Sequence, residues 1–248
     1  MKPYWFFFLS FFTSVSFLHA QDEMVDSLVL DEVYEPVHVN FFEGNFSMFM
    51  PSGRFAEKVD QSRFYGFSAA YLRQLEKEKP AFVGVEVYHS YMGSLSRTYA
   101  EAIDTEIIDV TGVMGSSALG LNLLGRYYPG MKVGPIEPFF EVHFGGKWLY
   151  SYLSESGFFS TDENYDNFDF LEGDVVLAYG GAMGFQVYAG QNVYFSLKGS
   201  YQAANSARFY KKIDDDINVF PLFPIDGFEL INTATNTIKV DIGFTFLY

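Results

Sequence analysis

Eight charged side chains sit within runs that are otherwise apolar or built of small residues. They are Glu43, Glu86, Glu141 and Asp241, against Arg126, Lys147, Lys198 and Lys239. Four acids and four bases in such settings can line a narrow ion path, or they can neutralise one another where water is scarce. Beyond the first twenty residues the histidines are His38, His89 and His143. A histidine serves as a catalytic base only within hydrogen-bond reach of a nucleophile. Ser90, beside His89, points to the opposite face if the segment is a strand, and no G-x-S-x-G elbow occurs anywhere. His143, between Glu141 and Lys147, reads as part of a polar interior. An acidic run holds Asp162, Glu163, Asp166, Asp169, Glu172 and Asp174. Asp162, Asn164 and Asp166 alternate as in a calcium loop. The sixth position is Asn167 and the twelfth Gly173, where such a loop needs Gly and Glu. That leaves loose bridging by divalent cations or a plain solvated surface. No catalytic residue, metal ligand or cofactor is assigned, and no enzymatic activity is expected.

The elements that position these charges alternate with a period of two. From Ile238 to Tyr248 the even positions are Ile238, Val240, Ile242, Phe244, Phe246 and Tyr248, and the odd ones include Lys239, Asp241, Gly243 and Thr245. Successive strand side chains point to opposite faces, so this is a strand with one apolar face. Seven more segments repeat the pattern: 40–51, 64–73, 81–91, 117–128, 139–150, 175–188 and 193–201. Each spans about ten residues, the length a tilted strand needs to cross a bilayer (about 9–11). The connections alternate between short turns and long loops, the latter at 52–63, 92–115, 151–174 and 203–236. Short turns on one side and long loops on the other are the rhythm of an outer-membrane barrel.

The apolar face carries Val, Leu, Phe and Met at mid-segment, with Tyr91, Tyr127, Trp148, Tyr150, Tyr201 and Tyr248 near segment ends. That placement matches interfacial aromatic girdles. The eight charges fall on the other face, among Gly, Ala, Ser and Asn. Eight strands enclose a space just wide enough for side chains to fill. The lumen is therefore expected to be plugged, with its charges paired. The acids of the 162–174 run, and Asp214, Asp215, Asp216, Asp226 and Glu229, belong to external loops. The last loop also carries the apolar run 220–225, which either caps the mouth or offers a contact surface.

The chain has 248 residues, no cysteine, 20% aromatic residues and a formal charge of −15. A nucleic-acid partner is excluded, because phosphate binding needs a basic face. Lys2, the apolar run Trp5–Leu18 and Ala20 read as an export signal over residues 1–20, removed from the mature chain. Residues 21–39 form an acidic periplasmic leader, and 40–248 form the barrel domain.

Four stretches carry a family resemblance. They are Gly44-Asn45-Phe46-Ser47, Phe82-Val83-Gly84-Val85-Glu86, Leu124-Gly125-Arg126-Tyr127-Tyr128-Pro129 and Ile242-Gly243-Phe244-Thr245-Phe246-Leu247-Tyr248. With the strand pattern, residues 40–248 resemble the eight-stranded OmpA/OmpX-like outer-membrane β-barrels of Gram-negative bacteria. The resemblance implies an all-β, eight-stranded antiparallel transmembrane β-barrel in an up-and-down meander. It implies that Phe244, Phe246 and Tyr248 form the signal read by the outer-membrane assembly machinery, with Tyr248 where Phe is more usual. No peptidoglycan-binding domain is expected after the last segment. The expected partners are outer-membrane lipid and lipopolysaccharide, the assembly machinery, and an extracellular ligand met by the loops. The chain is expected to be a monomer. Three function classes remain: a non-enzymatic surface or structural barrel, a narrow passage for ions or small solutes, and a lipid-modifying enzyme.

Overall fold

The computed structural model of the protein describes residues 39–59, 61–77, 79–103, 106–130, 135–158, 164–190, 192–213 and 223–248. The export signal, nearly all of the acidic leader, His38, Asp162, Glu163, Asp214 to Asp216 and residues 220–222 lie outside them. The strands are β1 (Asn40–Pro51), β2 (Phe64–Gln74), β3 (Ala81–Ile103), β4 (Glu106–Tyr127), β5 (Ile136–Phe158), β6 (Asn164–Gly190), β7 (Val193–Ala204), β8 (Ser206–Lys212), β9 (Phe228–Ala234) and β10 (Thr237–Leu247). A short helix α1 (Arg54–Lys58) follows β1, and a 3₁₀ turn at Pro224–Gly227 precedes β9. Eight strands, β1 to β7 and β10, close into an antiparallel barrel, and β8 pairs with β9 as a separate hairpin.

The register fixes the barrel's shape. Phe41 pairs with Leu72, and the ladder runs on through Gly84, Leu124, His143, Gly180, Gln202 and Thr237 to Pro51. One circuit thus returns to β1 ten residues further along, from Phe41 to Pro51. A stagger of this size on eight strands sets a tilt of about 40° and leaves room only for side chains inside. The period-two reading holds on all eight strands. Phe42, Phe67, Val85, Leu121, Phe144, Met183, Phe195 and Ile242 lie on the exposed outer face, while Glu43, Ser68, Glu86, Asn122, His143, Gln186, Lys198 and Asp241 are buried inside. An apolar outer belt around a polar, filled interior is the construction of a transmembrane barrel.

The expected strand lengths and loops need correction. β3, β4, β5 and β6 run 22 to 27 residues, so most of 92–115 and 151–174 is strand. Asp166, Asp169, Glu172 and Asp174 consequently lie on β6, and Tyr91, Trp148 and Tyr150 lie in mid-strand. Two bulges explain why the alternation breaks there. The register slips between Tyr91 and Gly93 and again between Ser151 and Tyr152. An extra residue reverses which parity faces inward. Past the first bulge the outward positions of β3 are Ser94, Ser96, Thr98 and Ala100, too polar to mark a face.

The connections 52–63 and 203–236 are also structured. Phe55 and Val59 of the α1 region, with Ala207, Phe209 and Ile231 of the β8–β9 hairpin, join Phe49, Phe64, Tyr88, Met92 and Leu149 in one buried apolar cluster. Phe55 and Phe209 meet edge to face at 5.9 Å. Ser116 Oγ donates to the Tyr210 carbonyl at 2.5 Å, and the Tyr210 N–H donates to Ser151 Oγ at 3.1 Å. These bonds pin β8 against the inner walls of β4 and β5. A second cluster of Phe41, Leu72, Phe82, Leu124, Tyr128 and Phe139 closes the end with the short turns. The lumen is a polar layer between two apolar stoppers.

Tyr88 shows how tightly that layer is packed. Its ring lies over Gly120, where a Cβ would sit 2.1 Å from ring carbons. Gly120→Ala is expected to lower unfolding stability in lipid vesicles by about 1–3 kcal/mol, the cost of overpacking. Gly199→Ala, whose added Cβ meets nothing within 4 Å, should leave the denaturant midpoint unchanged. Equal effects would contradict the packing described.

Candidate functional site

Strand pairing builds the site before any side chain reaches across the lumen. Arg126 on β4 lies directly opposite Glu141 on β5, and Asp241 on β10 opposite both Lys198 on β7 and Ser47 on β1. Glu86 on β3 faces Asn122 on β4. Inward-pointing pairs at this spacing touch. Arg126 Nε and Nη2 donate to Glu141 Oε2 at 2.9 and 2.6 Å. The guanidinium then crosses the barrel, where Nη2 meets Glu43 Oε2 at 2.9 Å and Nη1 meets Glu43 Oε1. Its planar fork grips one carboxylate with two donors and is still held by the other, a task a lysine cannot perform. The Phe139 ring lies 4.2 Å beneath it.

The remaining charges continue the chain. Lys198 Nζ stands 3.2 Å from Glu86, 3.2 Å from Glu141 and 3.5 Å from Asp241. Lys239 Nζ stands 2.6 Å from Glu86 and 3.2 Å from Asp241. Neutral groups add hydrogen bonds: Asn122 to Glu86 at 3.0 Å, Ser47 to Asp241 Oδ1 at 2.5 Å and Thr245 to Glu43 at 3.1 Å, while Asp241 Oδ2 has the two lysine ammoniums beside it and no hydrogen bond. Gln186 adds a contact to Glu43 at 3.4 Å, and Glu141 is held by two cations, Arg126 and Lys198. The site compensates charge, as desolvated ions in so dry a space require. Each of its four carboxylates is ion-paired with at least one of Arg126, Lys198 and Lys239.

Two sequence expectations change. Lys147 was expected to pair with an acid. Its ammonium instead donates to the Thr235 carbonyl at 2.8 Å and to Thr237 Oγ1 at 3.4 Å. It thereby ties the root of the hairpin to β5, and a backbone acceptor of this kind leaves no trace in the pattern of side chains. His143 is buried beside the network, but its Nε2 has no hydrogen-bond partner. It borders a small cavity with Glu86, Tyr88, Asn122, Ser200, Gln202 and Lys239. Tyr88, not among the lumen residues named from the sequence, also points inward and is buried. Its bond to Gln202 at 2.8 Å depends on cross-barrel distance, which sequence does not carry.

On the outer surface, His89 meets the Tyr150 hydroxyl at 3.3 Å, while Ser90 is buried inside. Among the described residues no group of three His, Asp or Glu side chains is placed to hold a metal. Of the expected girdle, Tyr91, Tyr127, Trp148, Tyr201 and Tyr248 are exposed outward, and Tyr150 is half-buried. Phe244, Phe246 and Tyr248 share the exposed face of β10 and the residue that follows it.

The ion pairs yield a graded expectation. Arg126→Met strands Glu43, leaves Glu141 to Lys198 alone, and should cost about 3–5 kcal/mol of unfolding free energy. Adding Glu43→Gln and Glu141→Gln should restore most of that loss. Lys147→Met removes a charge that has only neutral partners and should cost far less than Arg126→Met. Chemical denaturation of these variants in one detergent checks the order. Equal costs for Arg126→Met and Lys147→Met would contradict this account.

No family model matches the chain, and no curated protein matches it in sequence. Solved structures do resemble it. Neisserial surface protein A is 10% identical with a TM-score of 0.37, covering 85% of this chain and 95% of its own. The outer membrane protein OprG from Pseudomonas aeruginosa is 13% identical with a TM-score of 0.40, covering 86% and 97%. A major outer membrane protein from Thermus thermophilus is 13% identical with a TM-score of 0.41, covering 85% and 99%.

Proposed function

We propose that this chain is a closed, non-enzymatic barrel of the bacterial outer membrane, a rigid base that holds two long hairpins and a capped mouth at the cell surface. The filled lumen carries the reading. Glu43, Glu86, Arg126, Glu141, Lys198 and Asp241 are each at most 3% exposed, and an apolar stopper stands on either side of them. An ion entering this layer would have to part desolvated pairs, whereas a conducting pore binds weakly enough to release. This weighs against a passage for solutes.

Membrane placement draws on the outer belt. Exposed Phe, Leu, Val and Ile on the barrel's outer face would be a severe liability in water and are what a bilayer requires. The amino-terminal sequence reads as an export signal, and exported barrels of this build belong to the outer membrane. Against an enzymatic role, His89 faces outward with a tyrosine as its partner, while its neighbouring serine faces the lumen. The surface role then falls to the extended β3–β4 and β5–β6 hairpins, which would meet an extracellular ligand.

Planar-bilayer recording tests the closed-barrel reading. The purified protein is expected to show no steady open state. Excision of residues 206–234 should not open one either, because the ion-paired layer lies below the hairpin. Steady, large currents from the intact protein would overturn it.

A further inference from the structure

The outward aromatic residues do not stop at the girdle. Trp148, Tyr150 and Tyr152 on β5 and Phe170 and Phe168 on β6 form one ladder of touching rings. Trp148 and Tyr150 are 4.7 Å apart, Trp148 and Phe170 6.1 Å, Tyr152 and Phe168 5.7 Å and stacked, and Phe168 and Phe170 5.1 Å. Phe168 is 54% exposed and Phe170 62%. A groove bordered by Trp148, Phe170, Leu171, Glu172 and Gly173 runs beside them, with Glu172 neutralised by Arg208 of the β8–β9 hairpin at 2.9 Å.

The register gives their height. With the ten-residue stagger, each pairing step from β1 toward β6 climbs about 3 Å toward the loop end, and each residue along a strand about 2.5 Å. Tyr91 pairs with Ser117, Ser117 with Tyr150, and Tyr152 with Phe170. Phe170 and Phe168 therefore stand roughly 15–20 Å farther out than Tyr91. The apolar belt between Tyr127 and Tyr91 already approaches the roughly 25 Å that the hydrocarbon layer needs. The upper rungs project beyond it.

Charge narrows what they meet there. From Trp148 to Leu197 the sequence contains no Lys or Arg. A surface for lipid phosphates would carry cations. A surface meeting water alone would not show two half-bare phenylalanines continuous with the lipid-facing belt. Between phosphate and bulk water lies the saccharide layer of the outer leaflet. Its sugar rings present C–H faces that suit an aromatic surface, with hydroxyls at the rim for a phenol such as Tyr152. We propose that the Trp148–Phe168 ladder is a docking surface for the uncharged sugar rings of the surrounding outer-leaflet glycolipid. This rests on the outer-membrane placement argued above.

A paired probe separates the docking surface from the membrane placement. The full chain carrying Trp5→Phe and Trp148→Phe has no native tryptophan left, and one is introduced by Leu121→Trp in the belt or Phe170→Trp on the ladder. Each variant is reconstituted in vesicles of brominated phospholipid. These hold no glycolipid, lipid A alone, or lipopolysaccharide with its core saccharide. The belt probe should be quenched by bromine in all three. The ladder probe should escape bromine, and its access to aqueous acrylamide should fall severalfold only where the saccharide is present. An unquenched belt probe overturns the membrane placement itself. With the belt probe quenched, three results overturn the docking surface: bromine quenching of the ladder probe, acrylamide access indifferent to saccharide, or protection that follows protein density and so reports a second copy.

Discussion

Arg126 is the group on which the interior depends. Its side chain has no exposed surface and lies between Glu43 and Glu141, with those carboxylates buried almost as fully. Ions so far from water are tolerable only when each finds opposite charge and enough hydrogen bonds. The guanidinium satisfies two acids on opposite sides of the barrel, so it acts as a strut across the lumen as well as a neutraliser. Lys198 and Lys239 repeat the arrangement with Glu86, Glu141 and Asp241, and no acid in the layer depends on a single contact. The width of an eight-stranded ring makes this possible, since opposite walls lie within reach of long side chains.

The apolar stoppers follow from the same constraint. Ion pairs keep their strength when water is kept away. The cluster around Phe55 and Phe209 seals the layer from the loop end, and the cluster around Phe41 and Phe139 seals it from the turn end. Lys147 joins the two systems, because its ammonium belongs to the polar layer while its acceptors belong to Thr235 and Thr237 at the base of the hairpin.

Which residues point into the lumen was legible in the sequence, since period-two alternation is a property of the backbone and survives any change of neighbour. All nine lumen residues named from that pattern are buried inside. Which of them touch was only partly legible. Arg126 with Glu141, and Asp241 with Lys198, are cross-strand neighbours, but Arg126 with Glu43 needs the closed ring. The long extensions of β3 to β6 were hidden because their outer surface is polar on β3 and because bulges reverse the parity beside Gly93 and Tyr152. The hairpin cap was hidden for a different reason. Ala207 and Phe209 do alternate with polar residues, but seven residues are too few to mark a strand inside what reads as a loop.

The stagger and the order of the charges also bear on how the ring closes. Pairing of β1 with β10 joins residues far apart in the chain, as in the Ser47–Asp241 bond at a separation of 194. Contacts that distant carry the heaviest loop-closure entropy and the slowest formation. Counting inward charges of the polar layer from the amino terminus, Glu43 and Glu86 come first, then Arg126, then Glu141 with Lys147, then Lys198. The tally reaches zero with β7, before the final strand arrives. β10 brings Lys239 and Asp241 together, one of each sign. β10, whose pairing with β1 closes the ring across the longest separation in the chain, adds no net charge to this layer, so the seam joins without placing an unbalanced charge in the lumen.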